Sequence, residues 1–233
     1  MAFAALAGPS SHIRRGVSKA AMVYDDLRTA IVGLDLKPGT RIDKHEVCAR
    51  LHVSRQPLAE AVARLADERL VEVEPQKGTF VARIRLADVA EAAFVRRALE
   101  VATVYEIAPA MDELTLKRLE RNLAYQSAAL KADDFDEFYA LDVRFHTMLF
   151  DRLAMRRLAD AVESSRAQLE RARRLLLPSP GRTPNTYREH RAIFAALKAR
   201  DAVKAAAAMA SHLDQVMAEL RKFAARQPEL FEP

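Results

Sequence analysis

The sequence predicts a mainly α-helical chain in two parts: three short helices closed by a two-stranded hairpin, then an all-α antiparallel helix bundle. Three observations predict it. Apolar residues recur at helical spacing through most of the 233 residues. The period changes to two only between about residues 70 and 81. Gly-Pro breaks and possible capping residues fall between the periodic stretches. Half the residues are hydrophobic and 30% are charged, which argues for a folded chain over a disordered one. The length allows two cores, one in a domain of about 70 residues and one in a domain of about 140.

The first part reads element by element. Tyr24, Leu27, Ile31 and Leu34 share one face of a helix over 20–34. Leu36-Lys37-Pro38-Gly39-Thr40 breaks it, and Asp43 offers an N-cap to a short helix carrying Val47 and Leu51. A third helix follows at once, with Ser54 as its cap. There Leu58, Ala61, Val62 and Leu65 form the apolar stripe, leaving Arg55, Gln56, Ala59, Glu60 and Arg64 off it. Leu70-Val71-Glu72-Val73-Glu74 then alternates apolar with acidic, Pro75-Gln76-Lys77-Gly78 turns, and Thr79-Phe80-Val81 returns. The reading is a tail over 1–16, a first domain over 17–83 and a linker over 84–87.

Charge supports a nucleic-acid partner for this domain. Lys and Arg outnumber Asp and Glu by 14 to 10 in residues 1–86, but only by 23 to 22 in residues 87–233. No apolar run is long enough for a membrane span. In the opening MAFAALAGPSSHIRR the charges follow the apolar stretch, unlike a secretory signal. A cytoplasmic chain without a membrane partner is expected, and the single cysteine, Cys48, reads as filler in an apolar helix face.

Three helices, a tight turn between the second and third, and a β-wing make up a winged helix-turn-helix, which places one exposed helix in a major groove. The run LRTAIVGLDLKPGTRI…VCARLHVSRQPLAEAVARLADERLVEVEPQKGTFV resembles the DNA-binding domain of the GntR family over residues 20–83. It shares the Pro-Gly turn, the Val-Ser-Arg-x-Pro start of the recognition helix and the wing glycine. Double-stranded operator DNA is the implied partner. Arg55 suits a guanine and Gln56 an adenine, each good pair being worth about 1–3 kcal/mol of discrimination. Ser54 suits a phosphate, Lys77 a phosphate or minor-groove edge, and Gly78 a turn with positive φ. Arg64 and His45 complete the expected set. The chain departs from the family at Ala59, where an arginine is usual, and at His45, where the fatty-acid-responsive branch has a contacting arginine. A single domain of this size makes few contacts, so a homodimer on a two-fold operator is expected.

From residue 87 the pattern is helical throughout, over about 87–109, 113–132, 134–153, 156–177, 185–199 and 201–226. No repeat of 30–45 residues is evident, and a bundle over 88–228 with a tail over 229–233 is expected. The bundle holds three histidines, His146, His190 and His212, and Asp142 lies one helical turn before His146. Such a set can bind a divalent metal: zinc, with nickel or manganese as alternatives. Spacing alone leaves open the other reading, histidines satisfied in a core. The pattern Arg96-x3-Glu100, Asp142-x2-Phe145-His146, Glu189-His190-x2-Ile193 and His212-Leu213 resembles the FCD ligand-binding domain of the FadR subfamily. Metal-binding members of that subfamily use an Asp-x3-His pair and two later histidines. That resemblance assigns the metal to Asp142, His146, His190 and His212, and a small carboxylate effector to its open position. Arg96 is the candidate effector cation, its alternative being an ion pair with Glu100. Gln227-Pro228-Glu229-Leu230-Phe231 resembles members that respond to sugar acids. The resulting expectation is a metabolite-responsive repressor. Two alternatives are a metal-dependent hydrolase or lyase and a constitutive DNA-binding protein with a structural metal.

Overall fold

A computed structural model describes residues 6, 17–153, 155, 166–179 and 181–232. The chain divides into two compact units, Met1–Leu86 with Gln227–Pro233, and Ala87–Arg226.

In the first unit, helix α1 (Lys19–Val32) starts where the Ser18 hydroxyl accepts from Ala21 N–H at 3.1 Å. It buries Val23, Tyr24, Leu27 and Ile31. The helix stops at Val32, two residues before the expected end, because Gly33 closes it and Leu34 turns to φ +67°. Leu36, 1% exposed, occupies the next core position. Asp43 caps α2 (Lys44–Leu51) by accepting from His45 and Glu46 N–H. Helix α3 (Arg55–Asp67) buries Leu58, Ala61, Val62 and Leu65, the stripe read from sequence, and each Leu or Val so buried stabilises the unit by about 1.5–3 kcal/mol.

The hairpin is strands β2 (Val71–Glu74) and β3 (Gly78–Val81), paired antiparallel from Val71↔Val81 to Glu74↔Gly78. Val71 is buried, whereas Val73, on the same face nearer the turn, is 54% exposed. A strand not expected from sequence, β1 (Arg41–Ile42), pairs with β3 on its other edge, giving the order β1-β3-β2. Two residues are too few to show a period of two. Where a linker (84–87) and a tail (229–233) were expected, Ile84–Arg85 forms β4 and pairs in parallel with Phe231–Glu232, β5. Ile84 and Phe231 are buried, and Arg85 is held to Glu232 through two nitrogens. The closing segment therefore belongs with the first unit.

The second unit comprises α4 (Leu86–Ile107), a 3-10 turn (Ala108–Ala110), α5 (Glu113–Lys131), α6 (Phe135–Leu153), α7 (Arg166–Leu176), α8 (Arg182–Lys198) and α9 (Ala202–Arg226). Residues 156–165 of the expected fourth stretch lie outside the described residues. Asp112, Asp134 and Asp201 each accept an N–H of the helix that follows. Val104, Leu119, Phe145, Ile193, Leu197 and Met209 form part of one continuous core. No helix among the described residues is long and apolar enough to cross a membrane.

Candidate metal centre and nucleic-acid interface

Three helices of the second unit bring the four predicted ligands together: Asp142 and His146 from α6, His190 from α8 and His212 from α9. One ligand atom from each lies within 4.8 Å of those of the others, and all four side chains are buried. His146 Nε2 and His212 Nε2 are 3.3 Å apart, and His190 Nε2 is 3.5 Å from Asp142 Oδ1. Phe145, next to His146 on α6, stacks on the His190 ring with centroids 4.4 Å apart.

The other nitrogen of each ring fixes what the centre offers. His146 Nδ1–H donates to Glu100, and His212 Nδ1–H donates to Glu189 at 2.7 Å. His190 Nδ1 meets Gln126 Oε1 at 2.9 Å. The last bond follows from a chain of obligations. The Leu141 carbonyl can only accept, so Asn122 Nδ2 donates to it; Asn122 Oδ1 then accepts from Gln126 Nε2, and Gln126 Oε1 is left to accept from His190. Each ring thus carries its proton on Nδ1 and presents an Nε2 lone pair inward. Among the described residues, His190 Nε2 has no hydrogen-bond partner.

Burial holds all three imidazoles below their ordinary pKa, His190 and His212 well below; neighbouring rings add to the shift at His190 and His212, and Arg96 adds to it at His146. For Asp142 burial acts upward and is the largest single cause, but the surrounding positive groups, Arg173 first, together outweigh it and hold the carboxylate well below its usual range. Three neutral nitrogens and one carboxylate oxygen converge without a proton between them. A cation is the partner that such a set lacks. Two imidazole nitrogens on one zinc at roughly 2.0–2.1 Å stand about 3.3 Å apart at a tetrahedral angle, so the His146–His212 spacing fits that group.

Arg96 is buried and bound to Glu100, which also holds His146. Its ion-pair reading therefore describes this structure, with Glu100 shared between a cation and a ring. Sequence reasoning did not assign Gln126, Asn122, Glu189 or Arg173. Arg173, on α7, pairs with Asp142 Oδ2, and its side chain is only 11% exposed. It lines a cavity of about 10 Å³ with Tyr139, Asp142, Arg182 and Thr186. Arg182 itself lies 3.1 Å from Glu219 and 3.5 Å from Glu189.

In the first unit, Ser54, Arg55 and Gln56 are exposed at the start of α3. Ser54 makes no side-chain cap bond, contrary to expectation, which leaves its hydroxyl free to meet a phosphate. A concavity of about 460 Å³ is lined by His45, Arg55, Ala59 and Gly78, together with Arg41 and Lys44, which sequence reasoning did not single out. Gly78 has φ +138°, and a Cβ there would come within 3.2 Å of Arg41 Nε. Lys77 is exposed at the wing tip, 3.0 Å from Glu74. Arg64 stands apart from this group: its guanidinium lies 3.8 Å from the Tyr24 ring centre, packed onto α1. Gln56 is bonded to Glu60 at 2.9 Å.

Comparison with known proteins agrees with both halves. The family model of bacterial regulatory proteins, gntR family, matches residues 19–81, and that of the FCD domain matches residues 91–215. The chain is 32% identical over 209 residues to the HTH-type transcriptional repressor RspR of Escherichia coli (strain K12), covering 90% of this chain and 92% of that one. It is 29% identical over 138 residues to the gluconate operon transcriptional repressor of Bacillus subtilis (strain 168), covering 59% and 56%. Among solved structures, a GntR transcriptional regulator from Rhodococcus sp. RHA1 superposes with a TM-score of 0.76 at 25% identity, over 88% of this chain and 99% of that one. The E. coli protein McbR/YncC shares the fold, with a TM-score of 0.73 at 22% identity over 89% and 99%. These relatives are regulators rather than enzymes, and a gntR helix-turn-helix implies binding to double-stranded DNA. The chain belongs to the GntR family of bacterial transcriptional regulators, its helix-turn-helix joined to an FCD effector-binding domain in a pairing consistent with the FadR subfamily.

Proposed function

We propose that the chain is a metabolite-responsive repressor that binds a two-fold operator as a homodimer and is released when a small organic or sugar acid reaches a metal centre in its FCD domain. The observation that carries the metal reading is the convergence of three Nδ1-protonated imidazoles on Asp142, with His190 Nε2 left without a partner. Asp142, His146, His190 and His212 would hold the ion, zinc first, with nickel or manganese as alternatives. When bound, a divalent ion supplies a Lewis-acidic position for a carboxylate oxygen. Glu100, Gln126 and Glu189 keep the three rings oriented toward it.

The effector's charge partner is read differently from the sequence expectation. Arg96 is neutralised by Glu100, whereas Arg173 and Arg182 line the cavity beside Asp142. On the DNA side, Arg55 and Gln56 read bases, Gln56 after releasing Glu60, while Ser54, Lys77 and the Arg41–Lys44–His45 rim meet backbone. The names of RspR and of the gluconate operon protein support repression as the sign of control.

An effector can shift DNA affinity only by as much as it distinguishes the binding-competent from the incompetent state. The test is fluorescence anisotropy of a labelled operator selected from a random pool, with organic acids titrated against parent and His146→Ala complexes. The proposal expects release from the parent only. Equal release from both would place sensing elsewhere, and no release by any acid would leave a constitutive regulator with a structural metal. Light scattering should give a dimer.

A further inference from the structure

We propose that Arg173 is the residue that makes the centre select an anion: it holds Asp142 while the centre carries no cation and passes to the carboxylate of the effector when the metal is bound. This rests on the reading above, that the centre takes a divalent metal and an organic acid.

Asp142 divides its two oxygens. Oδ2 is committed to Arg173, while Oδ1 faces His190 at 3.5 Å and is the oxygen that a cation among the imidazoles would meet. Charges inside the centre balance as they stand. Arg173 offsets Asp142, Arg96 offsets Glu100, Arg182 offsets Glu189, and the three rings are neutral. A divalent ion adds two positive charges and brings no anion with it. It also draws the Asp142 charge toward itself, so Arg173 is left nearly buried beside a surplus of its own sign. An anion restores the balance, and the guanidinium fork matches a carboxylate through two parallel bonds.

Space points the same way. The cavity that Arg173 lines with Tyr139, Arg182 and Thr186 is about 10 Å³, room for roughly one water molecule. A carboxylic acid enters only if a side chain withdraws. Arg182 is held by Glu189 and Glu219, whereas the hold of Asp142 Oδ2 on Arg173 weakens when a metal on Oδ1 draws the carboxylate's charge. Arg173 is therefore the side chain that moves.

The test uses the full-length, metal-stripped protein and cobalt(II), whose binding is read from its visible absorption. Acetate serves as the minimal carboxylate and acetamide as its uncharged counterpart. In the parent, acetate should tighten cobalt binding at least several-fold and acetamide should not. Arg173→Gln frees Asp142 and removes a like charge, so cobalt alone should bind it at least tenfold more tightly than the parent, and the acetate effect should fall below twofold. Arg173→Lys keeps the charge but not the fork, and should retain only part of the acetate effect. A parent-sized acetate effect in Arg173→Gln overturns the proposal and leaves the metal reading intact. If Arg173→Gln fails to fold by circular dichroism, a parent-sized effect in Arg173→Lys overturns it instead. A parent that binds cobalt but ignores acetate overturns both this proposal and the carboxylate effector. A parent that takes no cobalt overturns the metal centre itself.

Discussion

Three imidazoles kept neutral by burial should make the metal-stripped protein lose stability steeply on mild acidification. In the folded chain His146, His190 and His212 all titrate below the ordinary range, while in the unfolded chain they take up protons near about pH 6.5. Below that pH the unfolded state therefore binds more protons, and stability falls with pH until the folded values are reached. Between pH 7.5 and 5.5 each group that stays neutral only in the folded state costs about 1.4 kcal/mol. His190 and His212, both held well below the ordinary value, together cost about 3 kcal/mol and His146 adds to that, a large part of the roughly 5–15 kcal/mol that holds a domain folded. Glu189, which burial pushes up, works in the opposite direction, one group against three. Asp142 is held low and loses its contribution only well below this window. Urea unfolding at the two pH values, followed by circular dichroism, measures the difference, and His212→Asn should remove about a third to a half of it. Equal or greater stability at pH 5.5 would mean that the rings are folded as imidazolium ions paired to Glu100 and Glu189. The inward lone pairs would then not exist.

Three further outcomes follow from other contacts. Arg55→Ala should relax base preference at one operator position and cost about 1–3 kcal/mol, whereas Lys77→Ala should weaken all sequences alike and lower the salt slope by about one; binding-site selection at matched salt compares them, and an unchanged Arg55→Ala profile would misplace the recognition helix. Gln126→Leu should reduce metal affinity by about 10–100-fold without touching a ligand, because His190 then loses the acceptor that fixes its tautomer; chelator competition measures it, and parent-like affinity would remove Gln126 from the account. Phe231→Ala should destabilise the first unit by up to about 3–5 kcal/mol, since its side chain is buried where β5 pairs with β4; thermal unfolding identical to the parent's would show the pairing to be dispensable.

Local rules made the DNA-binding unit legible. Leu58, Ala61, Val62 and Leu65 mark a helix face because neighbours three and four apart must share it, and Asp43 caps because its oxygen reaches the next turn. The four candidate metal ligands were legible in part for the same reason: Asp142 and His146 are one turn apart, and His190 and His212, on two consecutive helices, could meet them in a bundle, a reading that resemblance to the FCD domain favoured over histidines satisfied in a core. Contacts between helices stayed hidden. Glu189 sits beside His190 in sequence yet holds His212 on the next helix. Arg173 reaches Asp142 across 31 positions, and Gln126 reaches His190 across 64. No periodicity within one helix reports a partner on another. The strands β4 and β5 escaped notice because each has two residues and they pair across 147 positions. Arg64 shows another limit: lying off the apolar stripe shows that a side chain avoids the core of its own helix, not what else it touches, and its guanidinium stacks on Tyr24.

The central claim is that a buried, proton-free set of one carboxylate and three imidazoles exists to hold a divalent ion. Metal analysis of the purified full-length chain by inductively coupled plasma mass spectrometry, beside Asp142→Ala and His146→Ala prepared identically, tests it most directly. The parent should hold about one divalent ion per chain, retained through dialysis at neutral pH, and both variants should lose that ion while keeping their helicity. A parent that holds no ion after reconstitution with zinc, nickel or manganese, or variants that keep as much as the parent, would contradict it.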